Sequence, residues 1–198
     1  MVDAVLRGDR DAFRDLVERE STSVVRACHR VLGDVHDAED AAQETFVTAY
    51  RALGTWRGEG SFSAWIARIA VRVALRQAGR RRPVAWLDPV AAESTVSASS
   101  PTAADRASRT ALIGGALEAA GRQDPASLAE RGEREVAVRA AVAGLDEPYR
   151  EVVALRFFGD LSLAEIAAVS GRPLGTVKTH LHRGLGRLRE SLVAEARS

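Results

Sequence analysis

Two stretches with a helical hydrophobic rhythm are separated by about fifty residues that have none, and this interruption limits the possible folds more than any other feature. From Val84 to Gly132 the chain is dominated by Ala, Ser, Thr and Pro, as in Ser97-Ala98-Ser99-Ser100-Pro101, and apolar periodicity fades. A segment of that length and composition reads as a linker, with room for a short helix near Ala111 to Ala120, because loops inside compact domains rarely run so long. It predicts two small domains, residues 1–83 and 134–198, joined by a flexible linker over 84–133.

Both flanking segments are helical by pattern, so the expected fold class is all-α. In the first, Phe13, Leu16 and Val17 mark an apolar stripe that resumes after a polar break with Val24, Val25 and Cys28. Gly33-Asp34 reads as a helix stop. Ala41, Ala42, Thr45, Phe46 and Ala49 then share one side of a second helix. Gly54, Gly58 and Gly60 break the chain around Trp56. Phe62, Trp65, Ile66, Ile69, Ala70 and Val73 keep i, i+3, i+4 spacing up to Arg80-Arg81-Arg82-Pro83. In the second, Asp146 and Pro148 read as a helix start, and Ser162-Leu163-Ala164-Glu165 matches a capping box. Gly171 and Pro173 close that short helix, and a longer one follows from about Leu174 to Val193.

Net charge is only +1 over 198 residues, but it is unevenly placed. Met1 to Tyr50 holds 11 acidic residues against 6 arginines, and Arg51 to Arg82 holds 8 arginines and one acid, Glu59. Arg172 to Arg189 has 5 basic residues, two histidines and no acid. Two basic segments behind an acidic one suggest two nucleic-acid contacts and a separate protein contact. The C-terminal pair of helices around a Gly-containing turn is a helix-turn-helix pattern. Ile166, Ala167 and Val169 are expected to pack on Leu174, Val177 and Leu181. That leaves Lys178, Thr179, His180, His182 and Arg183 to project towards a major groove, with Arg187 and Arg189 nearer phosphates.

Longer strings resemble one family. Leu145-Asp146-Glu147-Pro148-Tyr149-Arg150-Glu151-Val152-Val153, Leu161-Ser162-Leu163-Ala164-Glu165-Ile166-Ala167 and Gly175-Thr176-Val177-Lys178-Thr179-His180-Leu181-His182-Arg183 are similar to region 4 of sigma factors of the extracytoplasmic-function type. Asp37-Ala38-Glu39-Asp40-Ala41-Ala42-Gln43-Glu44-Thr45-Phe46 resembles their region 2.2. Trp56-Arg57-Gly58-Glu59-Gly60-Ser61-Phe62-Ser63-Ala64-Trp65-Ile66-Ala67-Arg68-Ile69-Ala70 resembles the segment that melts and reads the −10 element.

The resemblance implies a sigma factor that binds bacterial RNA polymerase core and directs promoter recognition, DNA melting and transcription initiation. Docking on the β′ clamp would fall to Asp37, Glu39, Asp40, Gln43 and Glu44, and the β subunit is implied as a further partner. Reading of −35 DNA would fall to Lys178, Thr179, His180, His182 and Arg183. Strand opening at −10 would fall to Trp56, Arg57, Phe62, Trp65, Arg68, Arg72 and Arg76, since unpaired bases need aromatic platforms and cations along the backbone. Phe62 and Trp65 also lie on the apolar stripe and read mainly as core, while Trp56 either stacks bases or anchors its loop. A cognate anti-sigma factor holding the two modules shut is implied as well. The chain departs from the family in Val71-Arg72, where many relatives carry Arg-Asn, and in Thr179-His180, where relatives often carry Ser-Arg.

Other functions fit less well. Cys28-His29 with His36 falls short of the four ligands a structural zinc site wants, and a lone buried cysteine is ordinarily core. No phosphate-cradling Gly-Lys loop occurs, so ATP-driven promoter opening is not expected, and the chain is read as having no catalytic site, cofactor or metal. A stand-alone dimeric helix-turn-helix transcription regulator stays open, although no dimerisation helix is evident. No apolar run reaches the roughly 18 residues that span a membrane. The polar Met1 to Arg10 lacks a signal-peptide core, and one cysteine suits a reducing compartment. The expected location is cytoplasmic.

Overall fold

The protein is described by a computed structural model over residues 2–7, 9–56, 58, 60–80 and 125–195. Arg57, the boundary near Pro83 and the helix expected at Ala111 to Ala120 lie outside these residues. All regular structure among the described residues is helical. The N-terminal module comprises α1 (Val2–Leu6), α2 (Arg10–Leu32), α3 (Val35–Ala52), a 3-10 turn (Leu53–Thr55) and α4 (Phe62–Arg80). The C-terminal module comprises α5 (Pro125–Ala143), α6 (Tyr149–Phe157), α7 (Leu163–Ser170) and α8 (Leu174–Glu195). Helix α5 thus begins before residue 134, where the second domain is expected to open. Met1–Arg82 and Glu135–Ser198 belong to one compact unit. The other unit, Pro83–Arg134, is described only from residue 125.

Local signals account for the helix ends. Asp9 accepts hydrogen bonds from the Asp11 and Ala12 amides (3.0 and 3.1 Å), and Gly33 closes α2 in the left-handed conformation at φ 77°. Asp34 accepts from the Asp37 amide at 3.0 Å to start α3, and Ser61 accepts from the Ala64 amide at 3.1 Å to start α4. Ser162 and Glu165 form the expected reciprocal capping box, and Gly171 ends α7 at φ 66°.

Helix α2 runs through the polar break seen in its sequence. Glu20 there is buried, accepting from Ser63 Oγ of α4 (2.9 Å) and Arg19 Nε (3.0 Å), so a satisfied carboxylate fills a core position. Small residues bring α3 and α4 onto α2: Ala38, Ala41, Ala49, Ala70 and Ala74 are fully buried. Thr45 is buried beside them, and its hydroxyl donates to the Ala41 carbonyl at 2.7 Å. Cys28 is also fully buried, and burial pushes its thiol up to about 12, which makes it an inert core side chain.

In the C-terminal module Ile166 and Val177 are wholly buried and join α7 to α8. Leu174, expected in that seam, is instead 41% exposed at the first position of α8. Helix α8 crosses α6 closely at Gly184, where an added Cβ would meet Val153 Cγ2 at 2.7 Å.

The two modules meet through α4, α6 and α7. Glu151 of α6 is only 6% exposed and is shared by three arginines. Arg68 Nε donates to its Oε1 at 3.0 Å, and Arg72 Nε lies 3.9 Å from the same oxygen. Arg172 Nη1 lies 2.9 Å from Oε2 as an ion-pair contact without hydrogen-bond alignment. Burial alone would push the Glu151 carboxyl up. Arg68, by charge and hydrogen bond, with Arg172 and Arg72 behind it, outweighs burial and holds the carboxyl below the usual glutamate range. Arg68 also donates to the Val169 carbonyl. Nearby, Arg30 Nη1 reaches Asp160 Oδ2 at 3.0 Å and the Phe158 carbonyl at 3.4 Å.

Gly184→Ala destabilises the protein by about 1–3 kcal/mol through overpacking against Val153. Gly186→Ala, whose added Cβ meets nothing within 4 Å, stabilises it by up to about 1 kcal/mol through helix propensity; urea unfolding separates the two. Because the folded pKa of Glu151 is depressed, its contribution is complete above the unfolded glutamate pKa of about 4.3. It is lost as pH falls from there through the lowered folded value. Glu151→Gln therefore costs about 3 kcal/mol at pH 7, and its deficit against the parent chain shrinks on acidification towards pH 3.

Candidate nucleic-acid interface

Helix α8 has two faces. Val177 is buried, and His180, Leu181 and Leu188 are half-buried towards α6 and α7. Lys178, Thr179, His182 and Arg183 are exposed on the opposite side, at i, i+1, i+4 and i+5. The Thr179 hydroxyl donates back to the Gly175 carbonyl at 3.0 Å, so its exposed part resembles a small apolar side chain. The structure brings four of the five sequence-predicted recognition residues onto one surface. His180, the fifth, sits edge-on to Tyr149 with ring centroids 5.7 Å apart and an interplanar angle of 86°. Arg187 pairs with Asp146 Oδ2 at 2.8 Å and lies over the Tyr149 ring at 4.5 Å.

On α4, Arg68, Arg72 and Arg76 recur every four residues and so line one side of the helix. All three have carboxylate partners. Arg68 and Arg72 share Glu151, and Arg76 binds Glu44. Next to them Trp56, Phe62 and Trp65 form a run of rings. The Trp56–Phe62 centroids are 6.0 Å apart at 88°, and the Phe62–Trp65 centroids are 5.5 Å apart at 40°. Phe62 is buried at 7% exposure and acts as core. Trp56 and Trp65 are half-buried, and Trp56 Nε1 is enclosed without a hydrogen-bond partner. Trp56 both anchors its loop and keeps part of its ring at the surface.

The acidic residues of α3 do not act alike. Asp40 and Gln43 are exposed, whereas Asp37 and Glu39 are half-buried. Glu44 turns towards α4, accepting from Arg76 and from Gln77 Nε2 at 3.1 Å. Sequence reasoning passed over Val47 and Tyr50, which are 50% and 51% exposed. Asp40, Gln43, Val47 and Tyr50 fall at i, i+3, i+7 and i+10, one continuous stripe that is acidic at one end and apolar at the other. Helical spacing from Asp40 was the signal that could have found them. Glu151 was missed too, because nothing local marks its burial.

Among the described residues, no helix is long and apolar enough to cross a membrane, and no group of His, Cys, Asp and Glu could hold a metal ion.

Comparison with known proteins identifies the family of the two modules. Residues 16–84 match the Sigma-70 region 2 family and residues 135–188 match Sigma-70, region 4. The chain is 33% identical over 189 residues to the ECF RNA polymerase sigma factor SigW of Bacillus subtilis (strain 168), covering 95% of this chain and 92% of that protein. It is 34% identical over 186 residues to the ECF RNA polymerase sigma-E factor of Escherichia coli (strain K12), covering 92% and 87%. Its fold is similar to CnrH in the solved complex of CnrH with the cytosolic domain of CnrY. That match has a TM-score of 0.55 and 23% identity, and covers 98% of this chain and 95% of the other. Two sigma modules in the family's order, inside a match that spans nearly the whole chain, do not favour a stand-alone regulator; the chain belongs to the ECF family of RNA polymerase sigma factors and is a sigma factor.

Proposed function

We propose that the chain binds bacterial RNA polymerase core through the α3 stripe, reads −35 DNA with the outer face of α8 and opens −10 DNA along α4. The observation that carries this reading is the single exposed face of Lys178, Thr179, His182 and Arg183 on the second helix of the helix-turn-helix. Lysine and arginine there can donate to guanine acceptors, and the threonine methyl can meet a thymine methyl. The protein itself would catalyse nothing, and the free energy of strand opening would come from polymerase contacts and from bases captured beside Trp56 and Trp65. Reading residues 1–83 and 134–198 as separate domains on a tether fits two contacts on one duplex. A cytoplasmic location and control by an anti-sigma protein fit the same role.

On α4, Arg68 and Arg72, two of the arginines assigned to DNA, already hold Glu151, and Arg76 holds Glu44. Strand opening on this reading exchanges a protein carboxylate for DNA phosphates, and the modules separate as it happens. The free chain would bind promoter duplex weakly, because each module contributes few contacts and the linker costs ordering entropy on binding.

Run-off transcription with purified bacterial core polymerase and GC-rich promoter fragments tests the assignment. The chain is expected to direct discrete transcripts. Lys178→Ala with Arg183→Ala abolishes them, since each base contact contributes about 1–3 kcal/mol, and Asp40→Ala with Gln43→Ala weakens them several-fold. A core polymerase that neither binds the chain nor initiates with it would refute the proposal. Glu151→Gln, measured where it remains folded, should raise binding of the free chain to single-stranded dT20 several-fold by fluorescence anisotropy. Unchanged or weaker binding would remove α4 as the strand-opening face.

A further inference from the structure

Helix α8 is seated on one aromatic ring, and its grip lies on the side away from the exposed basic face. His180, Gly184 and Arg187 fall at i, i+4 and i+7, so they follow one line along the helix. All three meet Tyr149 at the start of α6. The His180 ring packs edge-on at 5.7 Å between centroids and 86°, and Arg187 Cζ lies over the ring face at 4.5 Å. A Cβ at Gly184 would come within 3.4 Å of the Tyr149 Cβ, so the two backbones approach where the glycine lies. Asp146 holds the Arg187 guanidinium in place at 2.8 Å. His180 Nδ1 is enclosed without a hydrogen-bond partner, which leaves its ring held by shape and by the aromatic contact.

From this arrangement we infer that Tyr149, gripped by His180 and Arg187, is a positioning residue that fixes the angle of the recognition helix, and that His180 and Arg187 read no bases. This rests on the −35 reading proposed above and divides its labour. Base preference belongs to Lys178, Thr179, His182 and Arg183, and the inward line sets how those four reach the groove. The physical logic is geometric: a helix pivoting about Ile166 and Val177 near its N-terminus needs a second fixed point further along. Edge-to-face and cation–π contacts are directional enough to supply one. Truncating the grip should therefore weaken all DNA sequences alike, whereas truncating a reading residue should change which sequence is preferred.

Selection from duplexes randomised across the −35 element, using holoenzyme reconstituted with the full chain, tests the division. His180→Phe keeps an edge-on ring and is expected to retain both the parent preference and affinity within about twofold. Tyr149→Phe, which keeps the ring face and edge, behaves the same way. His180→Ala and Tyr149→Leu lower affinity about tenfold for every sequence, with the consensus unchanged and the thermal midpoint of His180→Ala close to the parent. Thr179→Ala or Arg183→Ala instead shifts the preferred base. A changed consensus with His180→Phe would make His180 a reader and overturn the inference, as would wild-type affinity in both truncations. If the parent holoenzyme selects no −35 sequence at all, the promoter reading itself fails, an outcome distinct from the others.

Discussion

A carboxylate held almost entirely out of water must have its charge answered by neighbours, and Glu151 satisfies that requirement with three arginines from two places. Arg68 and Arg72 come from α4, and Arg172 comes from the turn between α7 and α8. Leaving such a charge unpaired costs several kcal/mol, so the position of Glu151 on α6 dictates where both partner elements lie. The same cluster that aligns the helix-turn-helix turn on α6 also ties α6 to the basic side of α4. The Arg68 contact to the Val169 carbonyl and the Arg30 pair with Asp160 extend that seam.

On the proposed reading the α4 arginines have two competing partners. Guanidinium groups suit carboxylates and phosphates equally well in geometry. A DNA partner would bring many charges, while the protein partner is intramolecular and already in place. Helix α8 is built differently: the side chains proposed to read DNA are exposed and its inner line is occupied by α6 and α7, so on that reading it would enter a groove without rearrangement. The two proposed DNA surfaces thus differ in readiness, one preformed and one occupied. An order of events in which −35 contact precedes −10 opening would follow from that asymmetry.

Legibility in the sequence tracked the range of the interactions. Helix ends were readable because their determinants are local: Ser162 with Glu165, and Gly33 and Gly171 in left-handed caps. The outer face of α8 was readable because periodicity alone separates Lys178, Thr179, His182 and Arg183 from Val177 and Leu181. Glu20 was not, since the partner that makes its burial tolerable, Ser63, lies 43 residues away. Glu151 was hidden for the same reason, its α4 partner Arg68 lying 83 residues away. A charged residue between Arg150 and Val152 looks solvated until the helices assemble. His180 was placed with its basic neighbours on composition, whereas its angular position on the helix puts it with Gly184 and Arg187.

Energy transfer between dyes on the two modules tests the account most directly. Cysteines introduced at His36 in α3 and Ser191 in α8 would take the labels, and the native Cys28, buried with its thiol pushed up to about 12, would not compete. The account predicts high transfer in the free chain, reduced transfer in the free chain carrying Glu151→Gln, and low transfer once core polymerase and promoter DNA are bound. Low transfer in the free parent chain, or transfer unchanged on forming the promoter complex, would contradict it.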